Sequence, residues 1–315
     1  MAISSINRNR ELRRQMPRVP NLLFWYKASD LNSITKAYQD LTQTGSGSSG
    51  GTTITASASV ANLVVPGMNI RIGGTDVYVV STVVTTTITI VGTLSATYGA
   101  GSALAVERVS QWNDKSGLQN HATQGTALSQ PLYIPNAVKG KATLGFDGAS
   151  TLQMPSGTYP LASTVHNIFA VSKRTTETGS LYRLVAMNNG GGAGGNFRFV
   201  FGFSATSGSI QYGCNGTGSV TTAPGGTNTE HQILLGRMLI GQANQRVQIN
   251  NTSDTGNTNG AAATVDSAFI GSNFNTDRFL IGEIAEIIGI QRDLEIAERV
   301  AICRYLGDEW GISIS

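Results

Sequence analysis

The sequence is poor in the residues from which metal sites, disulfide frameworks and catalytic centres are usually built. Its 315 residues include only two cysteines and three histidines, and charged residues make up 13% of the chain. Cys214 and Cys303 are far apart and in no metal-ligand spacing, and two thiols do not make a disulfide framework. We therefore predict two free thiols and no metal site.

Known catalytic motifs are absent as well. The three histidines, His121, His166 and His231, belong to no HExxH or other closely spaced ligand pattern. The glycine-rich run 190–195 is followed by a predicted strand, so it lacks the helix N-terminus that would bind a phosphate. We predict no catalytic residue and no cofactor, and we expect His121 to hold a turn.

Long apolar runs are missing too. No stretch of about 18 apolar residues occurs, and the N-terminus lacks the apolar segment of an export signal. We therefore expect a soluble chain with no membrane insertion and no leader. What the chain has instead is 38 glycines and long tracts of Thr, Ser, Ala, Val and Asn, a balance that favours strands and tight turns.

The longest apolar run bounded by charges, residues 279–290, predicts a central strand that is covered on both faces. Glu283 and Glu286 lie three positions apart in it, so on a regular strand their carboxylates project to opposite faces. Strict alternation also sorts the apolar residues into two sets: Ile284, Ile288 and Ile290 on one face, and Ala285, Ile287 and Gly289 on the other. This spacing argues against a glycoside hydrolase, which needs two converging carboxylates.

A helix is predicted at the end of the chain, starting after Asp293 as its N-cap and ending at Gly311. Four residues recur at helical spacing and are expected to form its buried stripe: Ile296, Val300, Cys303 and Leu306. Cys303 is therefore predicted to be a packed apolar group and not a nucleophile.

Positive charge is concentrated in residues 1–20, although the formal net charge of the chain is only +3. Five arginines stand there against one acidic neighbour, Glu11, and we predict that they anchor the protein in an assembly: Arg8, Arg10, Arg13, Arg14 and Arg18. Nucleic acid is the alternative partner of such an arm. The arm carries no interleaved aromatics, so docking on a protein is favoured.

Residues 42–106 differ from the rest in composition. They contain short β-branched runs separated by glycine-rich turns, which predict a small antiparallel barrel or curled sheet. We treat 42–106 as a separate β module that contributes surface rather than chemistry.

The rest of the chain carries motifs of one fold family. Residues 109–117 give a strand with Trp112 and a polar turn, 120–124 read Asn-His-Ala-Thr-Gln, and 146–148 read Phe-Asp-Gly. Together with 247–250, 269–272 and the strand 280–288, these motifs resemble the laminin-G-like, concanavalin-A-like jelly rolls. The terminal helix is similar to that of versions from tailed bacteriophages and secreted bacterial proteins.

The resemblance implies an all-β fold, a two-sheet antiparallel jelly-roll sandwich of concanavalin-A-like type with one C-terminal helix. Residues 21–41 and 107–315 would form this discontinuous domain. The small β-barrel-like module 42–106 would be inserted between them, after the basic arm 1–20.

Jelly-roll lectins bind glycans through rim loops with an aromatic platform and amide partners, so the resemblance points to two loops here, 188–196 and 212–215. The candidate ligand-binding residues in them are Asn189, Asn196, Tyr212 and Asn215. Asp114 and Asp147 are conceivable calcium ligands, but both sit in tight turns, where aspartate commonly bonds the backbone alone.

The resemblance further implies a non-enzymatic bacteriophage virion protein, assembled in the host cytoplasm and located in the virion. It would be a surface fibre or adhesin that is anchored by the arm and contacts a host-surface glycan. A head-decoration or tail subunit with protein contacts alone is one alternative, and a glycan-degrading enzyme is another. The expected partners are other virion proteins, further copies in a homo-oligomer such as a trimer, and the glycan.

Overall fold

In the computed structural model the chain is an all-β protein, which confirms the predicted fold class. The structure describes residues 15–155, 165–175, 181–188, 197–204, 209–214, 219–222, 229–239, 244–250, 255–257, 267–273 and 278–314. Within these ranges there are 21 strands, two single 3-10 turns (Leu31–Ser33 and Ala127–Ser129) and one α-helix. Among the described residues no helix has the length and apolarity needed to cross a membrane.

The strands and the helix are numbered in chain order. The first eleven strands are β1 (Leu22–Lys27), β2 (Ile34–Gly47), β3 (Thr53–Ala56), β4 (Asn69–Ile72), β5 (Asp76–Val84), β6 (Thr87–Ile90), β7 (Tyr98–Trp112), β8 (Ala122–Thr123), β9 (Leu132–Val138), β10 (Lys141–Asp147) and β11 (Leu152–Met154). The remaining elements are β12 (His166–Arg174), β13 (Tyr182–Asn188), β14 (Phe197–Phe203), β15 (Ile210–Cys214), β16 (Ser219–Thr222), β17 (Gln232–Leu239), β18 (Asn244–Ile249), β19 (Thr255–Asn257), β20 (Ser267–Ile270), β21 (Ile281–Ile290) and α1 (Ile296–Trp310).

Two antiparallel sheets form the body of the protein. The first has the order β9–β10–β21–β12–β17–β18–β19, and β1 lies in line with β10 along the same edge of β21. The second has the order β7–β8–β11–β20–β13–β14–β15–β16. Apolar side chains from both sheets meet in one buried core. In it Trp112 packs on Tyr26, with the ring centroids 5.3 Å apart. The body is therefore a β-sandwich.

A closed barrel is attached to this sandwich. The pairings run β2–β7–β4–β5–β6–β3 and return to β2, so these six strands leave no free edge. They surround a second apolar core, made of residues between Leu41 and Val106 together with Leu132 and Ile134 of β9. β2 and β7 continue from the sandwich into the barrel, so positions 42 and 106, the predicted ends of the module, fall inside continuous strands.

The central strand β21 is present as predicted, but its alternation is not regular. Val171 of β12 pairs with Glu286 and the next residue, Ser172, pairs with Ile284, which leaves Ala285 as the extra residue of a β-bulge. Ile284 and Ile287 both face the sandwich core as a result. The other face carries Ala285, Ile288 and Ile290. The predicted sorting of these residues is wrong because a bulge shifts the period of a strand by one.

The helix α1 covers that other face of the first sheet. It packs on a set of sheet residues that are all buried: Phe169, Val171, Ile233, Leu235, Ala285, Ile288 and Ile290. Its N-cap is Glu295, in a capping box with Glu298, and not the predicted Asp293. Gly311 ends the helix in the left-handed conformation, at φ 68°, as predicted.

The buried face of α1 also differs from the prediction. Ile296 is 70% exposed at the first residue of the helix, and the buried residues of the helix begin only at Ile302. The side chains that do pack on the sheet are those of Ile302, Cys303, Tyr305, Leu306 and Trp310. Cys303 is therefore buried, as predicted, and its burial raises the pKa of the thiol to about 12.

The close approach of β1 to β21 gives a test of the core packing. A Cβ added at Gly289 would collide with the ring of Phe24, whereas one added at Gly125 would meet nothing within 4 Å. We expect Gly289→Ala to lower the free energy of unfolding by roughly 1–3 kcal/mol, the usual cost of overpacking a core. Gly125→Ala should leave it nearly unchanged. Denaturant unfolding of both variants measures this, and equal stabilities would contradict the packing described.

Candidate functional site

Glu286 lies under the helix with its carboxylate fully buried. Its Oε1 atom accepts hydrogen bonds from the indole Nε1 of Trp25, at 2.6 Å, and from the hydroxyl of Tyr305, at 2.8 Å. Its Oε2 atom accepts one from the indole Nε1 of Trp310, at 2.7 Å. One carboxylate therefore joins the first strand, the central strand and the helix.

The environment of Glu286 acts on its pKa in two directions. Burial penalises the charged form and raises the pKa, while Lys27 and the three hydrogen-bond donors favour the charged form. The net shift is upward. Because both oxygens are already bonded and no part of the residue reaches solvent, this carboxyl group holds the structure together and is not open to a substrate.

A second carboxylate, Glu309 of the helix, closes the cluster at its edge. Its Oε1 atom lies 2.7 Å from the Nζ atom of Lys27 and 2.6 Å from that of Lys141. Lys27 also donates to the hydroxyl of Tyr305, at 3.1 Å. The lysines therefore link the end of α1 to β1 and β10.

An open cavity of about 720 Å³ lies beside this cluster. The segment 15–20 forms one wall, and Met16 and Val19 of that segment pack against the apolar layer under the helix. The remaining walls are made of Leu22, Trp25, Lys27, Lys115 and Tyr305. Trp25 is only partly buried. Its indole can therefore contact a ligand in the cavity.

Trp25 is fixed by its backbone as well as by Glu286. Its N–H group donates to Oδ1 of Asp114, at 2.8 Å, and its carbonyl accepts from the N–H group of Lys115, at 2.8 Å. The ammonium group of Lys115 lies 5.2 Å from the centroid of the indole ring and is bonded to Asp30. The turn after β7 and the strand β1 thus hold the aromatic ring and a cation together at the cavity.

Asp114 and Asp147, the conceivable calcium ligands, are occupied by other bonds. Asp114 accepts from the N–H groups of Trp25, Ser116 and Asn120 and from the Ser116 hydroxyl. The ring of His121 accepts from the N–H group of Asp114, at 3.0 Å, so His121 holds this turn as predicted.

Asp147 is bonded in a turn of its own. It accepts from the Ser150 hydroxyl, at 2.5 Å, and from the N–H group of Ala149, at 3.1 Å, and it lies 3.3 Å from the buried guanidinium of Arg108. In the described part of the chain no group of three or more His, Cys, Asp or Glu side chains could hold a metal ion.

Glu283 lies on the same face of β21 as Glu286, and the prediction that the two carboxylates project to opposite faces is wrong. The bulge at Ala285 is the cause, because it adds one residue to their spacing. Glu283 has separate partners, however. It accepts from the hydroxyl of Thr143 at 2.8 Å and pairs with Lys173 at 2.9 Å.

The Nε2 atom of His231 lies 3.4 Å from Oε2 of Glu283, which is too long for a good hydrogen bond. Burial alone would raise the pKa of Glu283, but His231 and Lys173 outweigh it and lower the pKa to about 2. Glu283 therefore has no proton to give near neutral pH.

Glu283 and Asp147 line one cleft between the sandwich and the barrel. The cleft has a volume of only about 50 Å³ and is closed from the barrel side by Ala61, Asn62 and Val65. Ligand sites for small molecules are several times larger, at about 300–1,000 Å³. The cleft therefore cannot admit a sugar ring.

The predicted binding residues are placed as follows. Tyr212 is fully buried, and its hydroxyl lies 2.5 Å from Nε2 of His166, so its ring cannot form an exposed platform at a rim. The prediction for Tyr212 is wrong because β15 turns this side chain into the sandwich core. The other three residues, Asn189, Asn196 and Asn215, lie outside the described residues.

Of the five arginines of the arm, only Arg18 is described. Its side chain is exposed and lines the cavity beside Trp25. The remaining four lie outside the described residues: Arg8, Arg10, Arg13 and Arg14. The sequence predicted a strand at Trp25 and a turn at Lys115. No pattern in it indicated that these two segments and the arm form one site.

The chain was compared with known proteins. No family model matches it, and no curated protein sequence matches it. Among solved structures, a GH54 α-L-arabinofuranosidase mutant matches with a TM-score of 0.47 and 10% identity, over 84% of this chain and 62% of the other. The Trypanosoma rangeli sialidase matches with a TM-score of 0.47 and 13% identity, over 65% of this chain and 32% of the other.

A carbohydrate-binding domain also matches, with a TM-score of 0.40 and 14% identity, over 51% of this chain and 97% of the domain. It is CBM40 of the Ruminococcus gnavus IT-sialidase, bound to α2,3-sialyllactose. The chain spans about a third of the T. rangeli sialidase. Likenesses at this level transfer neither a fold family nor an activity.

The matches correct the predicted function. The three structures named above are two glycoside hydrolases and a glycan-binding domain, and none of the three is a virion protein, so the prediction of a bacteriophage virion structural protein, as fibre, decoration or tail subunit, is wrong. The prediction depended on turn and strand motifs that antiparallel sandwiches share across functions. The predicted virion partners and homo-oligomer find no support in these matches, and the predicted virion location stays untested.

The carboxylate at the centre of the cluster gives a second test. We expect Glu286→Gln to lower the free energy of unfolding by roughly 2–4 kcal/mol, because the amide NH₂ group would face a donor where the carboxylate accepts. Asp293→Asn makes the same chemical change at an exposed position that does not cap the helix, and it should cost less than about 0.5 kcal/mol. Denaturant midpoints of both variants measure the difference. A Glu286→Gln protein as stable as the parent would show that the group needs no charge.

The low pKa of Glu283 gives a pH prediction. Its pKa is about 2 in the folded chain against an ordinary value of 4.5, so the unfolded chain binds more protons between these values. The free energy of unfolding should therefore fall as the pH drops from 4.5 to 2, and Glu283→Gln should remove roughly 2–3 kcal/mol of that fall. Asp40→Asn, at a side chain that is 71% exposed, should leave the pH profile unchanged. Parallel profiles for Glu283→Gln and the parent would contradict the assignment.

Proposed function

We propose that the chain is a non-catalytic carbohydrate-binding module and that the carbohydrate occupies the cavity beside Trp25. The observation that carries this proposal is the cavity itself. It has a volume of about 720 Å³ and combines a partly exposed indole with the ammonium groups of Lys27 and Lys115. Sites for small organic ligands have this size and combine apolar rings with a few polar groups.

The lining matches the two sides of a sugar. The apolar C–H face of a pyranose ring can pack on an aromatic ring such as that of Trp25, while its hydroxyl groups need hydrogen-bond partners. Lys27 and Lys115 supply ammonium donors, which bond hydroxyl oxygens strongly. The Tyr305 hydroxyl already bonds Glu286 and Lys27, so it shapes the wall without being needed as a partner.

The aromatic ring is held in place before any ligand arrives. The indole N–H group, the backbone N–H group and the carbonyl of Trp25 each make one hydrogen bond, to Glu286, Asp114 and Lys115. A side chain that is already ordered loses little conformational entropy on binding, and this favours affinity.

The described carboxylates support binding rather than hydrolysis. Glycoside hydrolysis needs one carboxylic acid that gives a proton and a second carboxylate across the scissile bond. Glu286 is closed off beneath the helix, and the pKa of Glu283, about 2, leaves it without a proton. Asp147, the neighbour of Glu283 in the small cleft, pairs with Arg108. Absence of enzymatic activity stays a prediction that an assay must test.

For the fold, we interpret the sandwich as a concanavalin-A-like jelly roll and the barrel as a module inserted into it. The order of the strands supports this interpretation. The barrel strands β2 to β7 lie in the chain between β1 and β8, which both belong to the sandwich.

Replacing Lys115 tests the site. The parent protein should retain oligosaccharides on a glycan array, and Lys115→Gln should weaken the binding of the best ligand about tenfold, because one hydrogen bond from a charged donor is lost. The ion pair of Lys115 is partly exposed, so the melting temperature should change little. Arg71→Gln removes one positive charge from the barrel instead, and it should bind like the parent.

Isothermal titration with the ligand found on the array measures these affinities. The proposal fails if the parent binds no glycan, or if Lys115→Gln and Arg71→Gln bind equally well. Release of reducing sugar from the ligand by the parent protein would overturn the non-catalytic part.

A further inference from the structure

We infer that the carbohydrate in the cavity carries one anionic group, a carboxylate or a sulfate, and that Arg18 is its counter-charge. This inference rests on the proposed carbohydrate-binding function of the same cavity. It adds the chemical class of the ligand.

The charges of the lining carry the inference. Arg18, Lys27 and Lys115 line the cavity, and none of the described lining residues is acidic. A cavity with charges of one sign concentrates ligands of the opposite sign. The lining therefore favours an anionic ligand over a neutral one.

Both lysines of the lining are already engaged by nearby acids. Lys115 pairs with Asp30, and Lys27 and Lys141 both pair with Glu309.

Arg18 is left over. Its side chain is exposed, and among the described residues it makes no ion pair. The guanidinium group is planar and binds carboxylate or sulfate oxygens in pairs. One unbalanced guanidinium at the wall of a sugar site fits one anionic substituent on the sugar.

Matched pairs of sugars test the inference. D-Glucuronate and D-glucose differ only in the carboxylate, and D-glucose 6-sulfate carries a sulfate instead. Each is titrated into the parent protein, and the change in total tryptophan fluorescence is followed. The change reports on Trp25, because Trp112 and Trp310 are buried away from the ligand. We expect at least one of the two anions to bind about tenfold more tightly than glucose at low salt and to lose this advantage at high salt.

The arginine itself is tested by two changes. Arg18→Gln should reduce the preference for the anionic sugar to less than about twofold without changing the affinity for glucose, and Arg18→Lys should restore part of it. Arg71→Gln is the control and should keep the full preference.

The outcomes separate the inference from the proposed function. Equal binding of glucose and both anions by the parent would overturn the inference and leave the proposed function standing. A preference that survives Arg18→Gln would overturn the role of Arg18. Failure of the parent to bind any oligosaccharide on the array would overturn both. A response to only one of the anions identifies the anionic group as carboxylate or as sulfate and supports the inference.

Discussion

The structure depends on the buried carboxylate of Glu286. Taking a charge out of water is costly, and the cost is offset here by three donors from two different elements, Trp25 of the first strand and Tyr305 and Trp310 of the helix. Glu286 faces the helix because it alternates regularly with Ile288 and Ile290, which lie on the same face of β21. The same bonds fix the indole that forms one wall of the cavity, so stability and the binding site share one set of contacts.

The barrel restricts the space that is open to a ligand on one side of the sandwich. The closed barrel removes the free edges that its six strands would otherwise expose, and beside Glu283 it leaves a cleft of only about 50 Å³. The carboxylates on that side are held by Lys173 and Arg108. The barrel and these pairs leave the cavity beside β1 as the larger of the two sites.

Local patterns predicted much of the fold. The β-rich composition, the central strand, the small barrel and the helix ending at Gly311 are all present, and Cys303 and His121 have the predicted roles. The bulge at Ala285 was missed because strand periodicity assumes one register. The cap at Glu295 was missed because aspartate is a preferred N-cap residue and glutamate is not. Trp25, which lines the cavity, is held by bonds to Asp114 and Glu286, which lie 89 and 261 positions away in the chain. Such pairs follow from packing, which one sequence does not reveal.

The central claim is that ligand binds against the indole of Trp25. The most direct measurement is a titration followed by the ¹H–¹⁵N resonances of the three indole groups, each of which reports on one tryptophan. The account predicts that the oligosaccharide moves the Trp25 resonance strongly, while those of Trp112 and Trp310, which are buried, stay nearly unchanged. A bound ligand that leaves the Trp25 resonance in place and moves backbone resonances of the barrel instead would contradict the account.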